Sequence, residues 1–256
     1  MNKRISLIEL SCFLIITFLF LPVNRSLAQD YRRWQMMYDG SVSWLINNSN
    51  IPHRDHIEMS GKRISCVLRY GVAANGSFYA TRSLVWPMLR TIPNNTHASL
   101  TRQFKQDGFD FVTVNYKPVG NEKVSMITLN GTLLVQSKAG EDLELTRQYF
   151  PSPASPEFCE IYTIKNISKK SCVVEIPQLN ETYTTNPARG TEGSYTIRAS
   201  IANSGHYDIP ANDSVIFAVC YAGTKQNEDL PVVNCEEEKQ QRLSFVQQMW
   251  SSLVLE

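Results

Sequence analysis

Apolar and polar residues alternate in short runs along most of this chain. Val124, Met126 and Thr128 share one face of a run, and Leu143 and Leu145 alternate with Glu144 and Thr146. A period of two puts successive side chains on opposite faces of a strand. The pattern predicts strands over 63–70, 77–86, 109–116, 123–130, 132–138, 143–150, 158–166, 172–176, 195–202 and 214–221. Turn signals stand between them at Asn75-Gly76, Asp107-Gly108, Asn130-Gly131, Ala139-Gly140, Ser204-Gly205 and Asn212-Asp213. Asn-Gly between two strand-like runs is a strong hairpin signal, so 129–132 predicts a tight turn. Many closely spaced strands, without helical periodicity between them, imply an all-β fold: a large antiparallel β-sandwich. Residues 151–156 (Pro-Ser-Pro-Ala-Ser-Pro) read as a stiff turn joining two halves of one sandwich.

The period changes to 3.6 near the end. Leu243, Val246, Met249 or Trp250, and Leu253 recur at helical spacing, and Glu236, Glu237 and Glu238 load a first turn where negative charge suits the helix dipole. Residues 236–256 therefore predict one amphipathic helix after a sandwich over 29–235. Its apolar stripe has no evident partner, so it is expected to dock on a further domain. At the front, Lys3 and Arg4 precede a short apolar run over 12–23 and a small-x-small site at Ser26-Leu27-Ala28. This is the layout of a cleaved export signal over 1–28, too short to span a bilayer comfortably. Cys12 does not fit a lipoprotein motif, because the apolar run follows it.

Removing Lys3, Arg4, Arg25 and Glu9 with that signal leaves 22 basic and 23 acidic side chains. The balance gives no basic excess for nucleic acid and no polybasic face for a membrane. The remaining cysteines are Cys66, Cys159, Cys172, Cys220 and Cys235, an odd number with no C-x-x-C. Cys66 and Cys220 sit inside apolar runs and read as buried thiols. Cys159 and Cys172 flank an expected turn at 166–170 but fall out of register across it, which leaves a disulfide between them open. Asn-x-Ser/Thr recurs at Asn47, Asn75, Asn94, Asn130, Asn166, Asn180 and Asn212. These are glycan acceptors only in a eukaryotic secretory protein.

Two segments concentrate candidate chemistry. His53, Asp55 and His56 could ligate a metal, Asp55 and Glu58 could serve as an acid/base pair, and His53, Asp55, His56 and Glu58 together could bind a carbohydrate. In an extended segment His53 and Asp55 face one way and His56 and Glu58 the other, so the alternative is a polar strand whose carboxylates meet Arg54, Arg63 or Arg69. The second segment, 86–97, carries Trp86, Arg90, Asn94, Asn95 and His97. Trp86 could stack on a sugar ring while the others bond hydroxyls. The alternative is a packed loop with Trp86 in the core. No G-x-S-x-G elbow, Walker loop, Rossmann fingerprint or H-E-x-x-H occurs, and nothing in the sequence calls for a metal or another cofactor.

The segments 55–62, 84–90 and 92–98 resemble the N-terminal β-sandwich ("supersandwich") domain of exported Bacteroidetes glycoside hydrolases with an (α/α)6 barrel, of the debranching-enzyme and rhamnosidase-like kind. The resemblance covers most of 30–256. It implies a scaffold that flanks the active site of a catalytic barrel in carbohydrate breakdown, joined to it by a linker helix matching 236–256. It carries no catalytic residue onto this chain, because in that family the catalytic carboxylates belong to the barrel. A stand-alone secreted carbohydrate-binding sandwich is the other reading.

Overall fold

The period-two pattern is realised as three antiparallel sheets. The computed structural model describes residues 33–92, 98–230 and 234–252; the signal reading at 1–28 and the stripe residue Leu253 lie outside the described residues. In chain order the strands are β1 (Gln35–Met36), β2 (Val42–Leu45), β3 (His53–Ser60), β4 (Ser65–Val72), β5 (Phe78–Thr91), β6 (Ala98–Phe104), β7 (Thr113–Val114), β8 (Lys117–Pro118) and β9 (Glu122–Leu129). They continue with β10 (Leu133–Ala139), β11 (Leu143–Pro151), β12 (Glu157–Asn166), β13 (Cys172–Ile176), β14 (Asn180–Thr184), β15 (Tyr195–Ala202), β16 (Gly205–Ile209) and β17 (Ser214–Lys225), before helix α1 (Cys235–Ser251). A nine-stranded sheet runs β1-β2-β9-β10-β11-β12-β17-β15-β14. Two four-stranded sheets run β3-β4-β5-β6 and β16-β13-β7-β8. One face of the large sheet shares a single apolar core with both small sheets, which makes the chain an all-β sandwich.

The expected hairpin forms where predicted: Leu129 pairs with Leu133, and Gly131 takes φ 87° at the turn. Two expectations fail locally. The strand read over 109–116 is a 3-10 turn followed by the short β7. Asp107 causes this, because its carboxylate accepts from Phe109 N at 3.1 Å while its own N–H donates to Asp110 Oδ2 at 2.9 Å, a reciprocal cap. Up to Thr91 the loop expected after Trp86 is instead more strand, and 93–97 lie outside the described residues. Pro87 lacks a ladder donor, and β5 absorbs it as a bulge between Trp86 and Arg90 before pairing resumes at Arg90–Ser99.

The Asn-x-Ser/Thr pattern has a local cause as well. The side chains of Asn47, Asn75, Asn130 and Asn166 each accept a hydrogen bond from the hydroxyl two residues on, at 2.6–2.8 Å. These are turns closed by side chains.

Strands β12 and β17 lose their alternation, because both of their faces are covered. Glu157 through Tyr162 are all buried, and so is 217–224. The outer cover is α1. Asn234 caps it, with Oδ1 accepting from Glu236 N at 3.1 Å and Glu237 N at 3.4 Å. Its buried face is Cys235, Glu238 and Arg242, not the apolar stripe read from the sequence. Arg242 donates to Gly131 O (3.0 Å) and Ser60 O (2.7 Å), tying hairpins of two sheets. Val246 lies over Gly131, where an added Cβ would come within 2.4 Å of its Cγ2. Met249 and Trp250 remain 58% and 70% exposed. The helix thus covers its own sheet with its first turns and leaves its end free.

Between the sheets lies a buried ionic network. Arg82 on β5 donates bidentately to Glu160 on β12, through Nε to Oε1 and through Nη2 to Oε2 at 2.7 Å. Its remaining donors reach Tyr162 OH (3.0 Å) and Gln106 O (2.6 Å). Arg147 on β11 donates through Nε to both Asp107 oxygens at 3.1 Å and through Nη1 and Nη2 to Glu122. Tyr149 donates to Asp107 at 3.0 Å, and Tyr162 to Glu160 at 2.6 Å. Burial pushes the Asp107 carboxyl up, and the Arg147 and Arg82 guanidiniums pull it back below the ordinary carboxylate value.

Removing one partner of such a pair strands a buried charge. Arg82→Met is expected to destabilise the fold by about 3–5 kcal/mol, read as a lower urea midpoint. Gly223→Ala would place a Cβ 2.6 Å from the Trp86 ring. It is expected to cost about 1–3 kcal/mol in the same measurement.

Candidate functional site

The residues singled out from the sequence do not converge on one site. Trp86 is fully buried; its ring packs on Gly223 and its Nε1 donates to Pro156 O at 2.9 Å. It has no free face for a sugar, which corrects that expectation. Arg90 is exposed, with Nη1 3.5 Å from Ser99 Oγ. Asn94, Asn95 and His97 lie outside the described residues.

On β3 the faces divide as the strand period requires. His53 and Asp55 turn to the half-buried side, where His53 meets the Trp44 ring edge-on at 5.3 Å and Trp34 Nε1 donates to Asp55 at 3.3 Å. Burial and the neighbouring Arg33 charge lower the His53 pKa. His56 and Glu58 are exposed on the other face. Asp55 and Glu58 therefore do not form a paired acid and base, and His53 and His56 do not share a ligand set. Arg54, Asp55, His56 and Arg69 line a shallow groove of about 360 Å³.

A wider groove of about 820 Å³ opens beside the β5–β6 end. Thr91, Ser99, Thr101, Thr185, Asn186 and Arg189 give it a rim of hydroxyl, amide and guanidinium groups.

The densest unexplained chemistry lies beneath α1. Cys159 on β12 pairs directly with Cys220 on β17, and Cys235, the first residue of α1, sits above them. The three sulfurs lie within 4.8 Å of one another, and all three residues are buried. All five cysteines at 66, 159, 172, 220 and 235 are free. Cys172 belongs to another sheet, so the disulfide left open between it and Cys159 is not formed. Hydrogen bonds from the Cys159 and Cys220 thiols pull the Cys235 thiol down to about 4 against its burial. Its place in the first turn of a helix favours the thiolate in the same sense. Cys66, buried in the core, is pushed the other way by desolvation.

Glu157 lies two residues before Cys159 on the same face of β12. It is fully buried, and neither carboxylate oxygen has a hydrogen-bond partner among the described residues. Burial and the Cys235 charge push its pKa up to about 8, with Arg198 opposing and Glu238 adding to the rise. Two cavities of about 400 and 410 Å³ reach this region, one lined by Glu157, Arg198 and Cys220, the other by Asn234, Cys235 and Glu236. Sequence reasoning missed the trio because its members come from three separate elements and leave no ligand spacing to read. The available signal was the apolar setting of Cys159 and Cys220 together with a cysteine at a helix start.

No family model matches the chain, and no curated protein matches it in sequence.

Glu157 makes stability depend on pH. Its folded pKa of about 8 exceeds the ordinary 4.5, so between these values the folded state holds a proton that the unfolded state has lost. The contribution is fully present below the lower value and is lost as pH rises through the upper one. Glu157→Gln removes this titration. Its stability relative to the unsubstituted protein is expected to rise from about pH 5 to about pH 8 in denaturation curves.

Proposed function

We propose that this chain is a non-catalytic β-sandwich domain of an exported glycoside hydrolase. It scaffolds or flanks the active site of an (α/α)6 catalytic domain, carried in cis or encoded separately, in carbohydrate degradation. The observation that carries this reading is the division of α1. Its first turns are bolted to the sandwich by Cys235, Glu238 and Arg242, while Met249 and Trp250 project as an exposed apolar end. A helix fixed at one end and apolar at the other suits a rigid junction to a second domain. The sandwich also commits its interior carboxylates Asp107, Glu122 and Glu160 to two arginines. Glycosidase carboxylates face each other across an open cleft, about 5–5.5 Å apart for retention or about 6.5–9.5 Å for inversion. Asp55 and Glu58, on opposite faces of β3, do not meet that requirement. The signal-like layout of 1–28 supports export.

The second reading, a stand-alone secreted carbohydrate-binding protein, is favoured by the polar groove of about 820 Å³ beside β5 and β6. Its rim matches the hydroxyls of an oligo- or polysaccharide. The groove is also compatible with the first reading, as one wall of a cleft.

The test is to express residues 29–256 alone and, separately, joined to the coding sequence that follows codon 256. Reducing-sugar release from a polysaccharide panel is expected only from the joined protein. Hydrolysis by 29–256 alone, abolished by Glu58→Gln, would overturn the proposal. Retardation of 29–256 in polysaccharide gels, lost in Arg189→Ala, would favour the second reading.

A further inference from the structure

We propose that Cys159, Cys220 and Cys235 form a three-sulfur binding site for a soft d10 metal cation, copper(I) being the ion whose preferences the site meets. The inference stands apart from the proposed function and rests on the thiol geometry alone.

The three sulfurs come from two adjacent strands and the helix above them, so they close a triangle and do not line up along one element. A metal–sulfur bond of about 2.3 Å sets sulfur–sulfur edges of about 4.0 Å in a trigonal plane and about 3.8 Å in a tetrahedron. The observed separations, all within 4.8 Å, reach either with small side-chain movements. Thiolate ligands select copper(I), zinc and iron–sulfur clusters over hard ions. The ligand count then discriminates. No carboxylate or imidazole among the described residues joins the triangle within the same 4.8 Å. Copper(I) is satisfied by three sulfurs, whereas zinc needs a fourth ligand, from the protein in structural sites or from water in open ones, and the trio sits in an apolar cluster.

The surroundings fit a thiolate–metal centre. Cys235 is the first residue of the helix that Asn234 caps, and such helix starts favour negative charge. Phe150, Ile161 and Ala218 pack with the cysteines and keep the sulfurs in an apolar shell. The cavities that reach Cys220 and Cys235 give an ion an entry path. Binding three thiols releases up to three protons and needs no redox step when the ion is supplied as copper(I).

The experiment uses the full mature chain, reduced and held under anaerobic conditions, in competition with a chromogenic copper(I) chelator. One copper(I) per chain is expected, with a copper–thiolate charge-transfer band and an X-ray absorption spectrum showing sulfur neighbours only. Cys235→Ser is expected to weaken binding at least 100-fold. Cys172→Ser, which removes a thiol outside the trio, is expected to bind as the unsubstituted chain does. Cys220→Ala serves as the second cluster variant should Cys235→Ser fail to fold, and circular dichroism checks each protein. Zinc(II), run in parallel against a chromogenic zinc(II) chelator, is expected to be surrendered to it. Absence of stoichiometric copper binding, or equal loss in Cys172→Ser, would overturn the proposal. So would zinc(II) held in a four-ligand site. A Cys159–Cys220 disulfide found by mass spectrometry in freshly isolated, unreduced protein would also overturn it, since that cross-link removes two of the three ligands.

Discussion

The bidentate pair of Arg82 and Glu160 fixes how the layers of this protein meet. Arg82 stands on a small sheet and Glu160 on the large one, and both are completely buried. An unpaired charge at either position would be far costlier than the pair itself. The sheets can therefore close in one relative register, the one that lets a planar guanidinium meet a carboxylate fork. Arg147 repeats the device within reach, joining the β11 strand to Asp107 and Glu122. Aromatic rings fill the space around the charges, with Arg147 4.5 Å from the Phe109 ring and Arg82 5.3 Å from that of Tyr149. Apolar contact supplies the bulk of the core, and the ionic network selects which packing of it is native.

That network explains the uneven legibility of the sequence. Strands whose faces differ, such as β10 and β11, announce themselves by alternation, and β13 and β15 coincide with their predicted spans. Short or polar strands such as β8, β14 and β16 are held by their partners and carry little pattern of their own. The region after Asp107 reads as strand because Phe109, Phe111, Val112 and Val114 are apolar. A carboxylate that caps one turn while serving a distant arginine overrides that signal, and no local window contains Arg147.

The same holds for the candidate sites. The facing rule for β3 was readable, and it correctly separated His53 and Asp55 from His56 and Glu58. The burial of Trp86 was readable only as one of two alternatives, because a tryptophan at a strand end suits a core and a sugar platform equally. The thiol trio was not readable as a cluster. Its positions lie 61 residues apart on paired strands and then on a helix, and only the tertiary fold converts that separation into contact. The repeated Asn-x-Ser/Thr teaches the converse lesson: a motif with a familiar chemical meaning can be turn geometry, here a side-chain carbonyl bonded to the hydroxyl two residues on.

The double covering of β12 and β17 bears on how the protein is made. β12 pairs with β17 across an intervening stretch that contains four other strands, so one edge of β12 stays open while those residues leave the ribosome. When β17 finally docks, Phe150, Cys159, Ile161 and Cys220 form an apolar strip on the outside of the sheet until α1 follows. Pairings of this separation are slow, and open edges invite the wrong neighbour. Synthesis therefore places the most adhesive surface and the most oxidisable side chains in view together, shortly before the segment that covers them. A chaperone acting on this chain would find its work concentrated in that interval.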